Sequence, residues 1–149
     1  MNKFATFACA ALLATAGVSA TAESHATGSG DVVQDRQASM KAIGGAMRTI
    51  GGMAQGKVDF DAAAAQAALD SVAMEAAMLP DLFMENVTEG SKAQPAIWEN
   101  WEDFVAKAEM LKAAAEAGDA TSAETLGASM GGLGGACSAC HKDYRVSNS

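Results

Sequence analysis

LGASMGGLGGACSACHKDY, the segment from Leu126 to Tyr144, decides the fold of this chain. One set of its side chains recurs at steps of three or four residues, which is the period of an α-helix. The set consists of Leu126, Met130, Leu133, Cys137, His141 and Tyr144. The segment therefore predicts a final helix that carries two cysteines and a histidine on neighbouring faces.

Three segments upstream show the same helical period and are separated by helix-breaking residues. They cover approximately residues 31–55, 59–79 and 95–117. Asp59 is a good N-cap for the second helix, Pro80 stops it, and Pro95 suits the first position of the third. No strand-like alternation competes with these patterns. Four helices of about 20 residues with mostly short connections predict an all-α fold, an antiparallel up-down-up-down four-helix bundle.

The N-terminal residues have the three-part order of a secretory signal peptide. Lys3 precedes an apolar stretch over residues 4–18, and small residues offer a cleavage site after Ala20 or Ala22. The apolar stretch is too short for a membrane span. We therefore predict a cleaved signal peptide over residues 1–22, a disordered lead-in over 23–30 and one folded domain over 31–149.

The charge and length of the chain restrict its function. A chain of 149 residues is one domain by the usual size prior. Its formal net charge of −8 lacks the basic footprint of a nucleic-acid-binding protein. Such an acidic surface suits a soluble protein or one that meets basic partners.

The sequence Cys137-Ser138-Ala139-Cys140-His141 has the C-x-x-C-H spacing of covalent haem attachment. On a helix the two thiols and the imidazole lie close enough to act on one porphyrin. The thiols add to its two vinyl groups, and the adjacent imidazole reaches the iron from one side. The motif predicts one haem c per chain, bound through two thioethers, with His141 as an axial ligand.

Other uses of two cysteines and a histidine fit this chain poorly. Structural zinc needs four ligands in most cases, and after export only His25 remains as a further cysteine or histidine. A thioredoxin-type pair belongs at a helix N-terminus beside a βαβ unit. A disulfide between cysteines three residues apart in one helix has poor geometry and closes a very short loop.

Four glycine pairs conflict locally with the predicted first and last helices, because each glycine weakens a helix relative to alanine. They are Gly44-Gly45, Gly51-Gly52, Gly131-Gly132 and Gly134-Gly135. The pairs indicate either close helix–helix approach or a bulky flat group lying against the backbone. Both readings stay open from the sequence.

The order and spacing of further motifs resemble the class II cytochrome c family, which contains cytochrome c′ and its low-spin, methionine-ligated relatives. The matching stretches, apart from the haem motif with Tyr144-Arg145, are Arg36-Gln37, Met40-Lys41, Gly56-Lys57, Phe60-Asp61, Leu79-Pro80, Phe83, Glu89-Gly90-Ser91, Pro95-Ala96-Ile97-Trp98 and Phe104. The resemblance extends through nearly all of the chain after the signal peptide. It implies a four-helix bundle with its haem site near the C-terminus, in the bacterial periplasm, as a monomer or a homodimer.

Met40 matches the family position that faces the iron opposite the histidine. In the low-spin branch this residue is a methionine whose sulfur binds iron, whereas in cytochrome c′ it usually blocks the site without binding. The stretches around Met40 and over residues 97–104 resemble the low-spin branch, so we favour His141/Met40 ligation. Met47 is a reserve candidate, but it lies about 10 Å further along the helix. Methionine at helical spacing is also common core filler, and the chain has nine.

The resemblance also suggests residues that support the haem. Arg36 is predicted to pair with a haem propionate and Gln37 to hydrogen-bond nearby; a solvated surface arginine is the alternative for Arg36. Arg145 matches an arginine close to the proximal histidine, and Tyr144 is expected to pack at the base of the haem.

Two functions remain open at this stage. The first is a periplasmic carrier of single electrons with low-spin His/Met iron, which exchanges electrons with periplasmic redox proteins. The alternative is a five-coordinate haem protein that binds nitric oxide or carbon monoxide. An enzyme is not expected, because no acid–base pair or distal histidine is recognisable. Nucleic acid and membrane insertion of the mature chain are not expected either.

Overall fold

The structure is a computed structural model that describes residues 29–147. Its helices are α1 (Ser29–Ala54), α2 (Ala62–Leu82), α3 (Ala96–Glu99), α4 (Trp101–Glu116) and α5 (Ala123–Tyr144). The predicted signal peptide and residues 23–28 of the predicted lead-in lie outside the described residues. Helix α1 begins at Ser29, two residues before the predicted start of the folded domain.

The four long helices form a closed ring of contacts. Helix α1 packs against α2 and α5, and α4 packs against the same two helices. Each long helix packs against the long helix that follows it in the chain, and the connection between them reverses the chain direction. The arrangement is therefore an up-down bundle. The four-helix bundle is therefore confirmed. No helix within residues 29–147 has the length and apolar character needed to cross a membrane.

The core of the bundle consists of two hydrophobic clusters. The first lies between all four long helices, and its fully buried members include Ile50, Leu69, Val72, Leu126 and Leu133. The second is aromatic and includes Leu79, Phe83, Ile97, Phe104 and Tyr144. Met40 packs against both clusters, Cys137 against the first and Cys140 against the second. The cysteine motif thus lies at the boundary between the two clusters.

The N-cap of α2 is Asp61 and not Asp59, which corrects the predicted start. The Asp61 carboxylate accepts a hydrogen bond of 2.9 Å from the Ala64 amide. Phe60 packs against the first cluster directly before this cap. A large apolar side chain before the N-cap fixes the entry of the chain into a helix, so burial of Phe60 selects the second aspartate.

Pro80 does not stop α2 as predicted; the helix continues to Leu82. Leu79 and Phe83 are four residues apart on one face and are 2% and 7% exposed. Their burial in the aromatic cluster keeps the last turn helical although Pro80 cannot donate a backbone hydrogen bond. The Phe83 amide closes the turn on the Leu79 carbonyl, at 3.1 Å.

The predicted third helix is broken at Asn100, which separates the one-turn helix α3 from α4. Asn100 has φ −126° and ψ 48°, outside the helical region. Its side-chain amide donates to the Ala96 carbonyl at 3.1 Å, and its backbone amide donates to the same oxygen. An asparagine side chain that competes for a helix carbonyl in this way favours a break.

Among the side chains described for residues 31–147, Ser39 is the one that buries a polar atom with no hydrogen-bond partner. The residue is 5% exposed, on the inward face of α1. Since an unsatisfied buried hydroxyl costs about 1–3 kcal/mol, Ser39→Ala is expected to raise the free energy of unfolding by about 1 kcal/mol. Urea denaturation followed by far-UV circular dichroism measures this change.

Ser129→Ala is the matched control for this prediction. The Ser129 hydroxyl donates to the Thr125 carbonyl and accepts from the Asp119 amide, both at 3.1 Å. Its removal should lower the free energy of unfolding, opposite in sign to Ser39→Ala. A Ser39→Ala variant that is less stable than the parent chain would contradict the prediction.

Candidate functional site

An apolar cleft opens beside the last turns of α5, and all four long helices contribute to its walls. Met40 and Ile43 come from α1 and Leu79 from α2. Helix α4 adds Lys107, Ala108 and Leu111, and α5 adds Ala136, Cys137, Cys140 and His141. The cleft therefore brings together two thiols, an imidazole and a thioether, which the sequence separates by about a hundred residues.

Cys137 and Cys140 are half-buried free thiols and do not form a disulfide. Desolvation raises the pKa of both thiols, and for Cys140 it raises the pKa to about 11 although the nearby Lys107 charge opposes the shift. The thiols are consequently neutral at pH 7. Reactive cysteines need a depressed pKa, so this pair is unsuited to thiolate catalysis.

His141 lies on the last turn of α5, one residue after Cys140, at the edge of the cleft. Desolvation, and secondly the charge of Arg145, lower the pKa of its imidazole. A lower pKa favours the neutral imidazole, which is the form that binds metal. The imidazole keeps solvent contact and remains available to a group held in the cleft.

The structure distinguishes the two methionine candidates on α1. Met40 lines the cleft together with Cys137, Cys140 and His141. Met47 is partly buried against the first hydrophobic cluster and is not among the residues that line this cleft. Of the two, only Met40 lines the cleft that His141 also lines.

The residues of the cleft fit a covalently held haem. Thiols three residues apart in the C-x-x-C spacing suit its two vinyl groups, and nitrogen and thioether donors both ligate haem iron. The walls contributed by Ile43, Leu79 and Leu111 are apolar, as the faces of a porphyrin require. Cys137, Cys140 and His141 are the side chains that could hold it, and Met40 could add a sulfur donor from the same cleft.

The glycines of the two helices lie in different surroundings. On α1, a Cβ at Gly51 would lie 3.7 Å from Met130 of α5, so this glycine sits where the two helices approach. On α5, a Cβ at Gly131, Gly134 or Gly135 would have no neighbour within 4 Å. The first helix therefore uses glycine at a helix contact, whereas these α5 glycines border open space next to the cysteine motif.

Arg36 is bound to a loop of the chain, which differs from the predicted propionate contact. The residue is 3% exposed, and its Nε, Nη1 and Nη2 donate to the carbonyls of Leu82, Val87 and Glu85 at 2.8, 2.8 and 2.5 Å. Its guanidinium also lies 4.5 Å from the ring centre of Phe83. The solvated-surface alternative is wrong, and the described contacts assign Arg36 to the loop that follows α2.

The three other predicted supporting residues lie in different environments. Gln37 is exposed on α1 and has no described bond to the cleft. Arg145 is the C-cap of α5 and is exposed, with its charge near His141. Tyr144 is 5% exposed and packs edge-on against Phe104, with ring centres 5.6 Å apart. Tyr144 thus lies in the aromatic cluster under the last turn of α5.

Lys107 is a residue of the cleft that the sequence analysis missed. Its ammonium forms ion pairs with Asp103 and, at 2.9 Å, with Asp143, and it lies 4.9 Å from the ring centre of Tyr144. The spacing of Asp103 and Lys107 by four residues was visible in the sequence as a helical ion pair. The link to Asp143 was not, because it depends on how α4 packs against α5.

Tyr144 is the single tyrosine of the chain, so its ionisation can be followed in isolation. Desolvation, followed by the hydrogen bond that its hydroxyl donates to Asp103, raises the pKa of Tyr144 to about 12. The neutral form is thus favoured in the fold. The stabilisation of the fold by the buried, neutral Tyr144 is complete below pH about 10 and is lost as the pH rises through about 12.

Ultraviolet difference absorption at alkaline pH tests this shift directly. The tyrosinate signal should have its midpoint near pH 12, and Asp103→Asn should move the midpoint down toward 10. Tyr144→Phe should remove the signal and serves as the baseline. A midpoint near 10 in the parent chain would contradict the burial and bonding described for Tyr144.

The known proteins to which this chain is similar are cytochromes. The sequence profile of the family described as Cytochrome C′ matches residues 31–145. Cytochrome c-556 of Agrobacterium fabrum is 40% identical over 124 residues, covering 76% of this chain and 80% of that protein. Cytochrome c′ of Rhodopseudomonas palustris is 35% identical over 141 residues, covering 90% of this chain and 94% of that protein. The solved structure of cytochrome c′ from Rhodopseudomonas palustris has a TM-score of 0.72 at 34% identity, covering 80% of this chain and 98% of that one.

Proposed function

This chain belongs to the cytochrome c′ family of covalent haem c proteins, and from that premise we propose that it carries single electrons through low-spin iron ligated by His141 and Met40. The observation that carries the proposal is that Met40 lines the same cleft as Cys137, Cys140 and His141. A histidine and a methionine together would provide the ligand pair usual for electron transfer.

Each residue of the cleft has a defined task in this proposal. Cys137 and Cys140 would hold the cofactor through thioethers, and the neutral imidazole of His141 would bind the iron through a ring nitrogen. The haem supplies an iron that changes valence by one electron. Met40 would offer its thioether sulfur as the second ligand of the iron. The apolar side chains of Ile43 and Leu79 would keep water away from the bound cofactor and lower the local dielectric.

The arrangement supports electron transfer over catalysis. A haem enzyme that activates a substrate needs an open axial position and a nearby acid–base group. Here Met40 lines the cleft together with His141, and the lysine in the cleft wall is ion-paired with two aspartates. The cysteines have raised pKa values and provide no nucleophile.

A second candidate is a five-coordinate haem protein that binds nitric oxide or carbon monoxide. Met40 packs against both hydrophobic clusters, so core packing alone accounts for its position. In that case the methionine blocks access to the iron and leaves when a gas binds. The names of the relatives include both cytochrome c-556 and cytochrome c′, so gas binding stays the second candidate function.

We place the protein in the periplasm of a bacterium, because the N-terminal residues have the order of a signal peptide. Removal of residues 1–22 takes away one basic residue, Lys3, and no acidic one. The mature chain then has 9 basic and 18 acidic residues, a net charge of −9. Such a charge favours encounter with a redox partner that presents a basic face.

Absorption spectra of the purified holoprotein, oxidised and reduced, test the proposed ligation. Low-spin His/Met iron should give sharp reduced bands, a thioether-to-iron charge-transfer band when oxidised, and no change under carbon monoxide. Broad high-spin spectra that change on addition of carbon monoxide would overturn His/Met ligation and favour the second candidate.

A further inference from the structure

A positive charge lies in the wall of the haem cleft. Lys107 lines the cleft from α4 together with Cys140 and His141 of α5. Its side chain is only 15% exposed, an unusual degree of burial for a lysine. The Lys107 charge opposes the desolvation shift in the pKa of the Cys140 thiol, and its effect exceeds the opposite effect of either Asp103 or Asp143. Every other residue that lines the cleft, apart from the two cysteines and His141, is apolar.

Two aspartates and a tyrosine hold Lys107 in place. Asp103 lies one turn earlier on α4, and Asp143 lies two residues after His141 on α5. The Tyr144 hydroxyl donates to Asp103 and completes a set of contacts across the two helices. Because the ammonium is bonded on both sides, its position relative to the cysteine motif is defined by the fold.

We propose that the ammonium charge of Lys107, which the fold holds in the wall of the haem cleft, raises the reduction potential of the bound iron. Oxidation of the iron adds one positive charge, and a nearby cation disfavours that state. The proposal rests on the haem binding of the family and on the assignment of Cys137, Cys140 and His141. It does not depend on whether Met40 ligates the iron.

The net direction of the effect follows from differences in exposure. The Asp103 and Asp143 side chains are 56% and 48% exposed, and water screens their charges. The Lys107 side chain, which lines the cleft, is 15% exposed, so its charge is screened less. Replacement of the lysine removes a cation from the cleft wall and leaves two carboxylates without a counter-ion. Both changes stabilise ferric iron and so lower the reduction potential.

Redox titration of the holoprotein with the variant Lys107→Met tests the proposal. The equilibrium between ferrous and ferric iron should move about tenfold toward ferric iron, a decrease of ~59 mV for a one-electron couple. Lys107→Arg keeps the charge and should restore most of the parent potential. Lys112→Met is the matched control: Lys112 lies on the same helix, is paired with Glu109 and Glu116, and does not line the cleft.

Asp143→Asn provides a measurement of opposite sign that does not require removal of the lysine. Loss of this carboxylate should raise the potential, even if Lys107→Met fails to fold. Equal potentials for Lys107→Met and Lys112→Met, or a decrease for Asp143→Asn, would overturn the proposal. The spectra of the same samples report the iron ligation separately, so a high-spin spectrum would contradict the role of Met40 without affecting this result.

Discussion

Replacement of Met40 by alanine is expected to convert the holoprotein from low-spin to high-spin iron. Alanine cannot reach the iron, and the variant would leave His141 as the sole protein ligand. The charge-transfer band should disappear, the reduced bands should broaden, and carbon monoxide should bind where it did not before. The reduction potential should also fall, since a thioether ligand favours ferrous iron.

Met47→Ala is the matched control for this variant. Met47 lies two turns further along α1, outside the cleft, and packs against the first hydrophobic cluster. Its replacement should lower stability as a partly buried methionine does, by up to about 2 kcal/mol, without changing the spectrum. Met40→Leu separates ligation from packing, because leucine fills a similar volume without a sulfur atom.

Identical spectra for the parent chain and Met40→Ala would exclude Met40 as a ligand. If the parent spectrum is high-spin from the start, and Met40→Ala only accelerates carbon monoxide binding, the methionine is a steric gate. Electron paramagnetic resonance of the oxidised samples distinguishes these cases, because spin state is read directly and does not depend on band shape.

The bundle could be predicted from the sequence because its main signal is local. Apolar residues at steps of three and four mark all four long helices, and the glycine and proline breakers separate them. The errors fall where tertiary contacts override local rules. Pro80 stays helical because Leu79 and Phe83 are buried together. Asn100 breaks a periodic segment because its side chain binds a helix carbonyl, which the apolar pattern does not register.

The candidate site could be predicted to different depths for different residues. The C-x-x-C-H spacing identifies Cys137, Cys140 and His141 without any tertiary information. Met40 required the resemblance, since nothing local distinguishes it from eight other methionines. Lys107 escaped notice because its partner Asp143 lies 36 residues away. Sequence periodicity reports the face of a helix but not which side chains meet across two helices.

Arg36 shows most clearly why partners cannot be inferred from residue type. An arginine one turn before a candidate haem ligand suggests a propionate, since its planar donors match a carboxylate. In the structure three of its nitrogens are bonded to main-chain carbonyls of residues 82, 85 and 87. Loops that close over a core present such carbonyls, and their sequence gives no sign of it.

Arg36→Met is accordingly expected to lower the free energy of unfolding by about 3 kcal/mol or more. Methionine retains an unbranched apolar chain but none of the donors, so three carbonyls lose their partner. The cation–π contacts with Phe83 and Trp98, at 4.5 and 5.5 Å, are lost as well. Urea denaturation measures the loss, and limited proteolysis should show faster cleavage within residues 83–91.

Two further variants decide what Arg36 does. Arg48→Met removes an exposed arginine from the same helix and should change stability by less than about 0.5 kcal/mol. Arg36→Lys keeps the charge but not the fork of donors and should recover only part of the loss. If Arg36→Met instead retains the parent stability while the potential of the haem shifts, a propionate contact is the better account. A loss of stability with an unchanged potential would assign the arginine to the loop. A residue that is bonded to the loop and not to the cofactor supports the fold without affecting the potential.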